Sequence, residues 1–117
     1  MLAIKKEYKN GYIVYNFTNT TEPQMLEQLK VMLKKDINQT YMFMFNFKNV
    51  DNLSVDDIKI LQKVYMMSVN YAFEIGVIGL NKQPAMMFEI FQLDRLYSVK
   101  TVSNIFHGES YESSYSA

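Results

Sequence analysis

The chain has no cysteine, one histidine, two prolines and four glycines among its 117 residues. Without thiols it can form no disulfide, no thiolate zinc site and no cysteine nucleophile, a usage that fits a reducing compartment. The single imidazole, His107, stands beside Gly108 at the edge of the hydroxyl-rich stretch "HGESYESSYSA". A fixed base is hard to build from it, so neither a Ser-His-Asp set nor a metal site is expected. An excess of charge of one sign is also lacking: twelve basic residues balance twelve acidic ones, and no overall field draws the chain to phosphate backbones or anionic membranes. Nucleic acid is not an expected partner. No apolar run reaches the roughly eighteen residues of a membrane span, and "MLAIKKEYKN" turns charged after four residues, unlike a signal peptide. A soluble, cytoplasmic protein without membrane insertion is expected.

What is present describes an ordinary folded domain, 49% apolar and 21% charged. The length suffices for one core and not comfortably for two. The expected organisation is a single domain over residues 1–106 and a flexible polar tail over 107–117.

Segments of two periods alternate along the chain. "LAIKKEY" and "YIVYNF" flank the turn Lys9 to Gly11 and predict a β-hairpin. In "TNTTEPQMLEQLKVMLKK", Thr20 or Thr21 can cap a helix and Pro23 suits its first turn, while Lys34 and Lys35 suit its negative end. Met25, Leu26, Leu29, Met32 and Leu33 give that helix one apolar side. "YMFMFNF" reads as a central strand covered on both faces, and "FEIGVIGL" as another buried strand. Between them a helix is expected from about Val55 to Asn70. A third, "PAMMFEIFQL", is apolar on nearly every side and reads as a buried plug, and "LYSVKTV" offers a short final strand or strand-to-helix turn. The order β-β-α-β-α-β-α predicts a mixed α/β layer fold, parallel after the opening hairpin.

The chemistry-bearing patterns are sparse. Asp51, Asp56 and Asp57 lack the spaced oxygen ligands and central glycine of a calcium loop, and Gly76 and Gly79 make no nucleotide fingerprint. No cofactor, metal or enzymatic activity is expected. "DNLSVDDIKIL" carries a hydroxyl at Ser54 and a carboxylate three residues later at Asp57, just before an apolar run, which is a capping-box pattern. The helix that follows shows two apolar stripes, Ile58-Leu61-Tyr65-Val69-Ala72 and Ile60-Val64-Met67-Tyr71. Together they span roughly 200° at 100° per residue, more than one side of a sheet covers. Either a neighbouring helix hides the second stripe, or it meets a partner, for which Met and Tyr are suited.

Several words of the sequence resemble the STAS domain, the family of bacterial anti-sigma factor antagonists and sulfate-transporter tails. "MFNFKNVDNLSVDDIKIL" looks like the family's strand, loop and helix start, "GVIGLN" like its next strand and exit turn, and "FEIFQLDRLYSVKTV" like its ending. The resemblance implies a four- to five-stranded mixed sheet opening with a β-hairpin, helices mainly on one face, and a non-enzymatic role in signal transduction and transcription regulation through protein binding. The implied contact is the loop Asn52, Ser54, Val55, Asp56 and Asp57 with the helix face Ile60, Val64, Met67 and Tyr71, and the implied partner is a kinase-like anti-sigma factor. In the family, phosphorylation of a serine at this helix start breaks the complex. Here Val55 and Asp56 occupy the two hydroxyl positions, Ser54 stands where the family has Asp, Asp57 where it has Gly, and Asn46 replaces a strand Asp. Ordinary phosphorylation control is therefore not expected. Either binding is permanent, or Asp56 and Asp57 imitate a phosphoserine's charge; Ser54 serves as N-cap ahead of any role as phosphate acceptor. Other readings of the same residues are an accessory subunit of a lipid or anion transport system, a sensor of small apolar ligands near Met86, Met87 and Phe88, and a homodimer through the Ile60 stripe.

Overall fold

The computed structural model describes residues 2–20 and 28–99. In chain order the elements are β1 (Leu2–Lys9), β2 (Tyr12–Asn19), α1 (Leu29–Asp36), β3 (Met42–Asn49), α2 (Val55–Asn70), β4 (Glu74–Ile78), α3 (Lys82–Ile90), α4 (Leu93–Leu96) and β5 (Ser98–Val99). They form one five-stranded sheet in sequence order, with β1 and β2 antiparallel and every later pair parallel. The hairpin turns at Asn10 and Gly11, where Gly11 takes φ +82°, a conformation that costs a residue without Cβ little. The mixed α/β layer fold expected from the alternating periods, parallel after the opening hairpin, is the fold observed.

Strand alternation decides where the core lies. Ile13, Tyr15 and Phe17 of β2, Phe43, Phe45 and Phe47 of β3, and Ile75 and Val77 of β4 point to one face. Leu29 and Leu33 of α1, Ile58, Leu61 and Val64 of α2, Phe88 of α3 and Leu93 of α4 join the same cluster, so the helices cover that face. Its centre is aromatic: Phe17 stacks on Phe47 at 4.8 Å between ring centroids, Tyr15 on Phe45 at 5.7 Å, and Phe88 meets Phe47 edge-on at 5.8 Å. Such offset and edge contacts add to the burial of large rings.

Two polar groups enter this apolar layer with partners. Tyr97, after α4, is buried and donates its hydroxyl to the Leu61 carbonyl. Burial pushes its phenol well above the ordinary range. Asp36, at the end of α1, accepts from the Tyr15 hydroxyl and from the Lys6 ammonium at 3.2 Å. Burial first, and then the bond to Asp36, raise the Tyr15 phenol, while Lys6 is held above its usual value because Asp36 and Tyr8 outweigh its own desolvation.

The third helix differs from the expected plug. It begins at Lys82, and although Phe88 is fully buried, Met86 and Ile90 are more than half exposed on its outer side. The expected first turn of α1, with Thr21, Pro23, Met25 and Leu26, lies outside the described residues. So do the end of the final strand segment beyond Val99 and the tail from His107.

Candidate functional site

The loop between β3 and α2, residues 50–54, leaves the carboxyl end of a central strand, the end of an open α/β sheet where ligands and partners commonly bind. Ser54 closes it as the N-cap of α2: its Oγ accepts from the Asp57 N–H at 3.0 Å, and Asp57 Oδ2 accepts from the Ser54 N–H at 2.9 Å. This reciprocal pair satisfies two backbone donors that a helix start otherwise leaves open. Asp56 and Asp57 also place negative charge where the helix dipole favours it.

The cap divides the loop residues into two groups. Asp57 is only 3% exposed and its carboxylate is engaged in the box, whereas Asp51, Asn52, Ser54, Val55 and Asp56 are exposed. The expectation that Asp56 and Asp57 act together as an imitation phosphate is corrected accordingly. Asp57 faces inward to hold the helix start, and the outward charge at this point is that of Asp51 and Asp56.

Three carboxamides from other elements fix the loop's path. Asn19, at the end of β2, accepts from the N–H groups of Asp51 at 2.7 Å and Asn52 at 3.3 Å and donates to the Asn52 carbonyl at 2.9 Å. Asn81, before α3, donates to the carbonyls of Lys48 and Val50, each at 2.9 Å. Gln83, in the first turn of α3, accepts from the Leu53 N–H at 2.7 Å and donates to its carbonyl at 3.0 Å. A carboxamide carries donors and an acceptor side by side, which suits it to bracketing backbone. Inside this frame Val50 and Leu53 are buried and anchor the loop in the core.

Beneath the loop, Asn46 Oδ1 accepts from the Lys48 N–H at 3.1 Å, and its Nδ2 donates to Asn16 at 2.8 Å; Asn16 donates in turn to Glu7. Glu7 is held below the usual carboxylate range by that bond first and by Lys9 second. Gly79, at φ +74°, passes so close that a Cβ there would lie 2.8 Å from the Lys48 nitrogen and 2.9 Å from Asn46 Oδ1. Asn19, Asn81 and Gln83 were not singled out from the sequence. Their partners lie about thirty residues away, and no local pattern marks them.

The helix face expected to meet a partner is rearranged. Val64 is fully buried and Met67 is 9% exposed, both within the core, so these two are not contact residues. Ile60 is partly buried, and Tyr71 is exposed at the helix end. The buried arc of α2 draws from both sequence stripes, taking Ile58 and Leu61 from one and Val64 and Met67 from the other, because the sheet lies under one side of the helix and Tyr97 packs against Tyr65. The outward line from the loop instead runs Val55, Lys59, Gln62, Met66 and Val69, all exposed. At about 100° per residue these fall within one narrow side.

Met86, Met87 and Phe88 do not converge on a pocket: Met86 faces outward, and Phe88 is locked between Phe47 and Tyr97. A cavity of about 660 Å³ opens elsewhere, at the opposite end of the sheet from the loop, among Tyr65, Ser68, Phe73, Glu74, Ile75 and Tyr97. Among the described residues no group of three or more metal-ligating side chains comes together, and no helix is long and apolar enough to cross a membrane.

No protein-family model matches the chain, and no curated protein matches it by sequence. Solved structures match its fold. An anti-sigma factor antagonist from Mycobacterium paratuberculosis superposes with a TM-score of 0.72 at 13% identity, over 92% of this chain and 93% of that one. The anti-sigma factor antagonist SpoIIAA in its unphosphorylated form gives 0.71 at 12% identity, over 92% and 99%. An uncharacterised protein with a SpoIIAA-like fold from Shewanella loihica gives 0.61 at 14% identity, over 91% and 88%. With the sheet order and the one-sided helical layer, these superpositions establish that the chain has the SpoIIAA-like, STAS-like fold of the anti-sigma factor antagonists.

Proposed function

We propose that the chain is a non-enzymatic, cytoplasmic regulatory domain that binds a protein partner of the kinase-like anti-sigma type. Its contact surface is the exposed loop Asp51, Asn52, Ser54, Val55 and Asp56, continued along Lys59, Gln62 and Met66 of α2. The observation that carries this reading is the clamping of the loop by Asn19, Asn81 and Gln83 on a SpoIIAA-like framework. A loop whose backbone is already fixed loses little conformational entropy on binding, so its exposed side chains can contribute affinity directly. Enzymatic chemistry has little support at this loop, where the polar side chains are engaged in holding backbone.

Phosphorylation control of the ordinary kind is absent in this reading. Val55 has no hydroxyl, Asp56 carries a charge already, and the Ser54 oxygen is used as the cap. A phosphate on Ser54 would gain from the helix N-terminus but would meet Asp56 and displace the Asp57 N–H from its acceptor. The domain is accordingly held permanently competent to bind.

Affinity capture from the native cell, comparing the unmodified domain with a Val55→Lys variant, tests the proposal. A kinase-like anti-sigma protein retained by the first and lost by the second is the expected outcome, and its absence from both overturns the reading. Incubating that partner with the domain and ATP, followed by intact-mass measurement, tests the control: phosphate on Ser54 would reinstate the switch.

A further inference from the structure

The cavity of about 660 Å³ follows from where the last strand starts. β4 begins at Glu74, but β5 pairs only with Gly76 and Val77, so Glu74 and Ile75 extend past the start of β5 as an uncovered sheet edge. The four-residue α4 ends at Leu96 and leaves the gap open, because Tyr97 turns into extended backbone and sends its hydroxyl to the Leu61 carbonyl. The end of α2 and the turn after it form another wall. Ala72 offers that wall only a methyl group, and Gly76 of β4 adds no side chain to the lining. The resulting volume is that of an ordinary small-molecule site, roughly 300–1,000 Å³.

The lining divides by chemistry. Phe73, Ile75 and Tyr97 are buried, and Tyr65 is half-buried with its ring edge-on to Tyr97 at 5.9 Å between centroids. These surfaces suit a flat apolar body. Glu74 is the one charged residue of the lining and is exposed; among the described residues its carboxylate has no ion pair or hydrogen-bond partner. Strand alternation puts Ile75 on the core side of β4 and Glu74 on the other, so the cavity wraps the uncovered edge and reaches both. Met42, the register partner of Glu74 on β3, marks that far side. Ser68 and Val69 belong to the C-terminal end of α2, whose last turn carries no basic side chain to balance the negative end of its dipole. A carboxylate, a helix C-terminus and aromatic faces all favour positive charge. No Lys, Arg or His lines the cavity to attract an anion. We infer that this cavity binds a small organic cation, a protonated amine carried on a flat apolar body, with the body against Tyr65, Phe73 and Tyr97 and the ammonium group on Glu74. The site lies at the other end of α2 from the partner-contact loop, so it stands or falls independently of the proposed function.

The methionines are placed to report on this site. Titration of the full chain, isotope-enriched at its methionine methyl groups, with phenethylamine and separately with phenylpropanoate compares two ligands that share a ring and differ in the sign of their charge. Phenethylamine should shift the Met42 methyl signal saturably and leave Met66 and Met86, exposed on α2 and α3, in place. It should bind about tenfold tighter than phenylpropanoate, since the two ligands interact with one carboxylate with opposite sign. Glu74→Gln, at an exposed position, should keep the melting temperature and lose most of that preference. Tyr65→Phe, which keeps the ring, should bind the amine as before, while Tyr65→Leu should weaken it about threefold. Phenylpropanoate binding as tightly as phenethylamine, or a preference unchanged in Glu74→Gln, overturns the assignment. So does the absence of any saturable Met42 shift at millimolar amine, which would make the cavity a solvent-filled gap only.

Discussion

The carboxamide of Gln83 brackets Leu53, accepting from its N–H at 2.7 Å and donating to its carbonyl at 3.0 Å. Leu53 is at the same time 2% exposed and packed in the main core, so one residue joins the loop to both helix α3 and the sheet. Gln83→Ala leaves two part-buried backbone groups without their partner, which typically costs about 1–3 kcal/mol. Denaturant unfolding should show a loss in that range. Hydrogen exchange should show the Leu53 amide deprotected while Phe45, in the middle of β3, keeps its protection; equal deprotection at both would mean that the clamp supports the whole domain and not the loop.

The cap makes a second prediction with an internal control. Ser54→Ala removes the oxygen that accepts from Asp57 N–H and should cost about 1 kcal/mol. Ser54→Asp supplies another good cap acceptor and should restore most of it, although it brings a carboxylate next to Asp57. A Ser54→Asp chain as unstable as Ser54→Ala would indicate that charge repulsion inside the box outweighs capping. The same pair separates structure from recognition: partner affinity should follow residue 55 and 56 substitutions more closely than it follows these stability changes.

The architecture was legible because each element announces its period. The opening hairpin follows from two β-rich runs around Gly11, the central strand from the run Met42 to Phe47, and the start of α2 from Ser54 and Asp57 three residues apart. The division of α2 into two faces was not legible. Val64 and Leu61 are equally good members of a helical stripe until the direction of the sheet is known, and that direction depends on Tyr97, thirty-six residues on from Leu61. The clamps were hidden for a related reason. An asparagine or glutamine in a loop commonly serves its own backbone, whereas Asn19, Asn81 and Gln83 serve a loop about thirty residues away.

Two backbone positions should respond to substitution in opposite directions. Ala72 ends α2 at φ 57°, the left-handed conformation that favours glycine. Ala72→Gly should therefore stabilise the domain by up to about 1 kcal/mol. Gly79 shares that conformation but has backbone pressed against it, with Lys48 nitrogen 2.8 Å from any added Cβ. Gly79→Ala should cost more than the about 1–2 kcal/mol of the left-handed conformation alone. It should also loosen the Lys48-Asn46 contact under the loop. Thermal melts of the two variants check the signs, and a neutral Gly79→Ala would show that β4 can shift away without penalty.

Alkaline pH should unfold the domain with a slope set by buried phenols. An unfolded tyrosine releases its proton near pH 10, whereas Tyr15 and Tyr97 keep theirs to higher pH, chiefly because burial disfavours the phenolate. Above pH 10 the unfolded chain thus binds fewer protons than the folded one, and stability falls as pH rises, by up to about 1.4 kcal/mol per pH unit for each tyrosine. Lys6, raised from 10.5, acts with the same sign: its contribution is complete below its unfolded value and is lost as pH climbs through the folded one. Urea unfolding at pH 8, 10 and 11 should accordingly show little change over the first interval and a steep loss over the second. Tyr97→Phe gives up the bond to the Leu61 carbonyl and should be less stable at pH 8, but its stability should fall less steeply above pH 10 because one titrating group is gone. A slope unchanged by this variant would place the proton release elsewhere, at Tyr15 or at Lys6, the two groups bonded to Asp36, and the companion Tyr15→Phe chain would separate those two.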